Sequence, residues 1–177
     1  MGIETKLKEL GIKKILVVDD TPKHVQTALS YLKQLEQYSI QTEGATSAKE
    51  AKEKIKESYA KDQKYDLVLS DLQMEQLESG LEVVREGLKH FADCFIVTGR
   101  CYKDSHHGPT TTLMPTQEVV SGRKDQEKVW EALLKKAVHY MEGKGKSIRL
   151  SLKKYGKYVG IPFEGPSLDI MVRMYKL

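Results

Sequence analysis

The sequence is short of the features that mark specialised classes of protein. It has only two cysteines, Cys94 and Cys101, too few for a disulfide framework and not in the C-x-x-C spacing of a metal site, so they read as ordinary thiols. No stretch approaches the ~20 consecutive apolar residues of a membrane span, and the first residues lack the charged-then-apolar layout of a secretion signal. No membrane partner and a cytoplasmic location are therefore expected. Prolines number only five, and there is neither an internal repeat nor a low-complexity tract. With 40% hydrophobic and 31% charged residues, the chain can bury enough surface to offset its ordering entropy, which excludes global disorder. A strong excess of one charge is also missing. The net charge is +4, and residues 142–177, with eight Lys/Arg against three Asp/Glu, carry +5, leaving −1 on residues 1–141. The basic character belongs to the tail.

What is present is a rhythm. A chain of 177 residues suits one domain with a short appendage. Strand-like and helix-like segments alternate along it, the pattern of a parallel sheet covered by helices on both faces. Ile3, Leu7 and Leu10 predict a short leading helix within residues 1–12, closed by Gly11. Ile15-Leu16-Val17-Val18 is a continuous apolar run of the kind buried on both sides of a parallel sheet. Asp19-Asp20-Thr21-Pro22 then opens a helix expected to reach about Leu35. A strand near Ser39–Glu43 leads into Ser47-Ala48-Lys49-Glu50, a capping box that starts a helix to about Tyr59. Tyr65–Ser70 is the third expected strand, Leu81–His90 the third full helix and Cys94–Val97 the fourth strand.

After Val97 the rhythm fails. Ser105–Pro115 holds prolines, a glycine, two histidines and several threonines where a fourth helix is due, and predicts a loop or a distorted turn. Glu118-Val119-Val120 is the expected fifth strand. An amphipathic helix follows from about Asp125 to Met141, with Val129, Trp130, Leu133, Leu134, Ala137, Val138 and Met141 on one face and Gly143 as its stop. Gly143–Lys146 reads as a linker, Ile148, Leu150 and Leu152 alternate like a strand, and Leu168–Tyr175 reads as a last short helix.

In a doubly wound sheet the functional groups gather at the carboxyl ends of the strands. Here those positions hold Asp19 and Asp20, Asp71, Thr98 and Gly99, and Arg123 with Lys124. Three carboxylates that close repel one another and raise each other's proton affinity unless a cation offsets them. A hard divalent ion with oxygen ligands fits, and Mg²⁺ suits few carboxylates with waters and a phosphate.

Lys-Lys-Ile-Leu-Val-Val-Asp-Asp at 13–20, Ala45–Ala51, Tyr-Asp-Leu-Val-Leu-Ser-Asp-Leu-Gln-Met at 65–74 and Ile-Val-Thr-Gly at 96–99 resemble the receiver domain of two-component response regulators. The resemblance covers about residues 13–141. It implies a doubly wound, five-stranded parallel sheet of the flavodoxin-like α/β class, here with an irregular fourth-helix region and a basic C-terminal extension over 142–177. It also implies that Asp71 takes a phosphoryl group from the phosphohistidine of a histidine kinase or phosphotransfer protein, the chain catalysing its own phosphorylation and dephosphorylation. Asp19, Asp20, Asp71 and the backbone carbonyl of Gln73 would hold Mg²⁺. Thr98 would hydrogen-bond the transferred phosphoryl group, and Lys124 would pair with it. Output would pass to a downstream protein.

The chain departs from the family pattern at identifiable places. Met74 is followed by Glu75 where the family usually has proline, and Gly80 lies nine residues after Asp71 rather than eight, implying a small insertion. Lys124 is followed by Asp125 rather than proline, Arg123 is an alternative cation, and Ser121 stands at the usual aromatic switch position. These departures keep a second function in view, a degenerate receiver-fold adaptor that takes no phosphate and acts through its surface or tail. A phosphatase of the haloacid dehalogenase type needs an aspartate two residues after its nucleophile; Gln73 and Thr21 stand there instead, against Asp71 and Asp19. The tail's Lys144, Lys146, Arg149, Lys153, Lys154 and Lys157, interleaved with Tyr155 and Tyr158, could touch phosphates or an acidic partner. The tail is too short for a helix-turn-helix domain, so packing onto the receiver with a solvated basic face is favoured over binding nucleic acid. His106-His107 read as loop histidines and Trp130 as core.

Overall fold

The computed structural model describes residues 2–76, 79–97, 112–113 and 124–155. The apolar run after Lys13 becomes strand β1 (Lys14–Val18), every residue of it buried. Because side chains alternate across a strand, this run must feed two cores. Ile15 and Val17 belong to one, with Leu67, Leu69, Phe95 and Val97 from the neighbouring strands. Leu16 and Val18 belong to the other, with Val68, Cys94 and Ile96.

The remaining elements follow in α/β order. Helix α1 (Ile3–Glu9) precedes β1, and α2 (Pro22–Leu32) follows it with Pro22 in its first turn and Thr21 as N-cap. The helical course expected to Leu35 tightens after Leu32 into a 3₁₀ stretch over Lys33–Tyr38, ended by Ser39 in the left-handed conformation (φ 63°). Then come β2 (Gln41–Ala45), α3 (Ala48–Ala60), β3 (Leu67–Ser70), α4 (Ser79–Lys89) and β4 (Asp93–Val97). One half of the expected capping box is present, Ser47 Oγ accepting the Glu50 N–H at 3.1 Å, while the return bond shifts by one residue, Glu50 Oε2 accepting the Thr46 N–H at 2.8 Å rather than that of Ser47.

Two expectations after β4 are corrected. The segment expected as a loop or distorted turn holds strand β5 (Thr112–Leu113), which pairs Ile96 with Thr112 and Val97 with Leu113. Two residues suffice for an edge strand with one neighbour, and β-branched threonine suits extended backbone. The last helix, α5 (Glu127–Tyr155), runs for 29 residues through the expected stop, linker and strand. Glycine in a helix costs about 1 kcal/mol but does not end it, and no proline follows before Pro162. Glu118–Val120, Leu168–Tyr175 and the rest of the irregular fourth-helix region lie outside the described residues.

The sheet order is β2-β1-β3-β4-β5, all pairs parallel, which is the doubly wound flavodoxin-like arrangement. Residues of α1, α2 and α5 cover one face and those of α3 and α4 the other. The leading helix shares the first core through Leu7, and Lys6 forms an ion pair with Glu142 at 2.8 Å near the far end of the domain part of α5. Since β1 connects outward to β2 and the chain then crosses to β3 on the other side, the two crossovers part at the carboxyl ends of β1 and β3. Cys94 is buried in β4 and burial pushes its thiol pKa up, as suits an inert core residue. Among the described residues no helix is long and apolar enough to cross a membrane.

At the amino edge of the sheet, Lys14 is buried but fully partnered. Its ammonium meets Glu43 at 2.8 Å and Ser58 Oγ at 2.9 Å and lies 4.5 Å from the centre of the Tyr65 ring, while Tyr65 donates to Glu43 at 2.7 Å. Partial burial pushes the Glu43 carboxyl up, but the bonds from Lys14 and Tyr65 outweigh it and hold the pKa below the ordinary carboxylate range. A carboxyl whose pKa is lowered on folding adds stability above its unfolded pKa, and that stability is lost as pH falls through the lowered value. Glu43→Gln is therefore expected to be less stable than the parent at neutral pH, by about 1 kcal/mol, with the difference vanishing in acid. Urea unfolding across a pH series checks this; parallel curves would refute it.

Candidate functional site

Both arms of the switch point end in aspartate. Asp19 continues directly from β1, its N–H still bonded to the Ala45 carbonyl at 3.2 Å, and Asp71 continues from β3, its N–H bonded to the Val18 carbonyl at 2.8 Å. Neighbouring strands in register thus carry the two carboxylates to the same height. Asp20 is the next residue along. Carboxylate oxygens of Asp19, Asp20 and Asp71 all lie within 4.8 Å of one another.

Burial differs sharply across the three. Asp19 is 1% exposed and Asp20 is exposed, while the Asp71 side chain keeps 13% of its surface open. Asp19 Oδ1 accepts the Thr21 N–H at 3.0 Å and faces His24 Nδ1 at 3.0 Å. Thr21, the N-cap of α2, makes no side-chain capping bond of its own.

Lys124 supplies the counter-charge. Its ammonium reaches Asp19 Oδ2 at 2.5 Å, Asp71 Oδ1 at 2.8 Å and the Val97 carbonyl at 3.3 Å, and the residue is 9% exposed. Trp130, in the first turn of α5, donates its indole N–H to the Lys124 carbonyl at 2.8 Å. It is core, as expected from the sequence, and it also anchors the cation.

Three carboxylates and one ammonium leave the cluster with too little positive charge. Burial pushes the Asp71 pKa up and Asp19 adds to the rise, while Lys124 and the Leu72 N–H oppose it without cancelling it. An oxygen-rich cluster with one exposed carboxylate, Asp20, matches what a hard divalent cation requires. Gln73, half-buried, sits two residues beyond Asp71 in the loop after β3. Thr98, Arg123, Ser121, His106, His107 and Cys101 lie outside the described residues.

Several members of the site were not evident from sequence patterns. His24 falls in the first turn of α2, where a lone histidine carries no motif. The bond from Trp130 to Lys124 could have been suspected only from the chain's single tryptophan standing six residues after the lysine. Gly80 is noted in the sequence only for its spacing from Asp71, and the structure supplies its contact. A methyl group built on it would stand 1.9 Å from the Asp71 carbonyl oxygen, and its N–H donates to the Leu72 carbonyl at 3.0 Å. The first turn of α4 therefore presses directly against the backbone of Asp71.

Gly80→Ala is accordingly expected to destabilise the fold by roughly 3 kcal/mol, since backbone must move rather than a flexible side chain, and to displace Asp71. Thermal unfolding and the carboxyl ¹³C shift of Asp71 measure the two effects. An unchanged melting temperature would contradict the contact.

No curated protein matches the chain. A family model, the response regulator receiver domain, matches residues 15–103, which span β1 to the segment after β4 and include Asp19, Asp20 and Asp71. With half of the sequence matched, the expected sheet order observed and the acid cluster at its switch point, the chain belongs to the response regulator receiver family.

Proposed function

We propose that this chain is a phosphorylation-controlled receiver that takes a phosphoryl group on Asp71 from the phosphohistidine of a histidine kinase or phosphotransfer protein and signals by contact with a downstream protein. The observation that carries this reading is the meeting of Asp19, Asp20 and Asp71 within 4.8 Å, with the Lys124 ammonium on two of them, at the carboxyl edge of β1 and β3. The transfer is a displacement at phosphorus. A carboxylate oxygen of Asp71 forms the new O–P bond, the P–N bond of the donor breaks, and its electron pair leaves with the imidazole, giving an acyl phosphate. Lys124 is placed to balance charge on the acceptor, and its contact with the Val97 carbonyl brings it beside the strand end that precedes Thr98. Thr98 is proposed to hydrogen-bond the transferred group.

Asp19, Asp20, Asp71 and the Gln73 carbonyl are the proposed Mg²⁺ ligands, and the ion would supply positive charge against the phosphoryl oxygens. The bonds from Thr21 N–H and His24 to Asp19 Oδ1 fix the orientation of that carboxylate before any ion arrives. Asp20, exposed and adjacent, is the ligand with the least prior commitment.

Incubation with acetyl phosphate and Mg²⁺ is expected to add one phosphoryl group to the parent protein and none to Asp71→Asn, read by intact mass. Equal labelling of the variant would move the acceptor elsewhere, and no labelling of the parent would favour the adaptor reading. Asp20→Ala is expected to abolish Mg²⁺ binding in calorimetry, because one of three anionic ligands is lost from an ion otherwise held by water. Unchanged binding would remove Asp20 from the ligand set.

A further inference from the structure

The loop after β3 has to hold still if Asp71 and the Gln73 carbonyl are to act together, and it is fastened at both ends. At its start, the Asp71 N–H is bonded to Val18 of β1. Leu72 is buried and Met74 packs on the second core. Four residues after Asp71, Glu75 reaches away from the acid cluster to the first turn of α3, where Oε1 accepts the Ala48 N–H at 2.8 Å.

That N–H needs a partner from outside the helix. Within the turn, Ser47 serves Glu50 and Glu50 serves Thr46, so the capping box leaves Ala48 unserved. A carboxylate is favoured at a helix N-terminus by the aligned peptide dipoles as well as by the bond itself. Glu75 stands where the family pattern has proline. A ring would stiffen the backbone there covalently; this chain instead ties the loop to α3 through a side chain.

We propose that Glu75 is a positioning residue for the phosphoacceptor loop, its bond to the Ala48 N–H holding Gln73 and Asp71 in the arrangement that Mg²⁺ requires. The inference rests on the receiver reading above. Glu75 belongs to none of the groups within 4.8 Å in the acid cluster, so its influence passes through the loop backbone.

Calorimetric Mg²⁺ binding, hydrogen exchange of residues 71–76 in metal-free protein and thermal unfolding test it together. Glu75→Ala is expected to weaken Mg²⁺ binding about tenfold, as loss of an orienting partner does, and to speed exchange in the loop. Glu75→Asp, too short to span the gap, should behave likewise, whereas Glu75→Gln keeps the acceptor oxygen and should stay within about twofold of the parent. Ser47→Ala removes the other cap of the same helix and is expected to lower the melting temperature while leaving Mg²⁺ affinity unchanged. The inference is overturned if Glu75→Ala binds Mg²⁺ like the parent, if Glu75→Gln is as impaired as Glu75→Ala, or if Ser47→Ala weakens binding equally. A parent protein that binds no Mg²⁺ would overturn the receiver reading and this inference with it.

Discussion

The structure turns on a repulsion. Two parallel strands bonded in register deliver Asp19 and Asp71 to one place, Asp20 adds a third carboxylate, and a single lysine stands against them. Everything near the switch point serves to keep that arrangement intact. Lys124 is fixed from behind by the Trp130 indole, and Trp130 is fixed in turn by the core that α5 shares with β1, β3 and β4. Asp19 is nearly closed off from water and saturated with partners on both oxygens. The remaining imbalance collects on Asp71, whose carboxyl is held above its ordinary pKa mainly by burial. A group in that condition gains from any incoming positive charge, which is the physical reason this cluster could hold a cation.

The opposite edge of the same sheet shows what a purely structural polar cluster looks like. Lys14 is as buried as Lys124, yet its charge is met by Glu43, Ser58 and the face of Tyr65. Asp66, nearby, accepts the Lys13 and Lys14 backbone N–H groups and ties β1 to the start of β3. Glu43 is held below its ordinary pKa there, while Asp71 at the other edge is held above it. One cluster is closed and balanced. The other is open and short of positive charge. Burial alone does not separate the two clusters, since the two lysines share it; what differs is how completely each set of charges is partnered.

Much of this was legible in the sequence because it is local. Three apolar runs, each followed by a polar residue at the strand's carboxyl end, mark β1, β3 and β4 and the places of Asp19, Asp20 and Asp71, whereas β2, Gln-Thr-Glu-Gly-Ala, has no such run and starts two residues after the expected Ser39. The Ser47–Glu50 box marks the start of α3 to the residue. The failures were also physical. Thr112–Leu113 is too short to show a period, and its strand character comes from pairing with β4. Gly143 was read as a stop because glycine often sits just past a helix, but position alone does not terminate a helix whose following residues remain compatible with it. Long-range partners such as His24 with Asp19, or Trp130 with Lys124, leave no periodic trace; they depend on which elements the fold brings together.

The loop beyond β3 shows how a departure from a family pattern can be compensated rather than simply lost. An extra residue between Asp71 and Gly80, and a glutamate in place of proline, would by themselves loosen the segment that carries Asp71. Gly80 restores one constraint by pressing α4 against the Asp71 carbonyl, which only a residue without a side chain permits. Glu75 restores another by reaching α3, and Met74, just before it, packs against the second core. These constraints differ in kind from a proline ring. A ring limits one backbone dihedral everywhere, in the folded and unfolded chain alike, whereas packing and a hydrogen bond act only once α3 and α4 are in place. In this chain the order of the loop after β3 is therefore a consequence of the completed fold, and the acid cluster depends on the helices that flank it as much as on the strands that present its carboxylates.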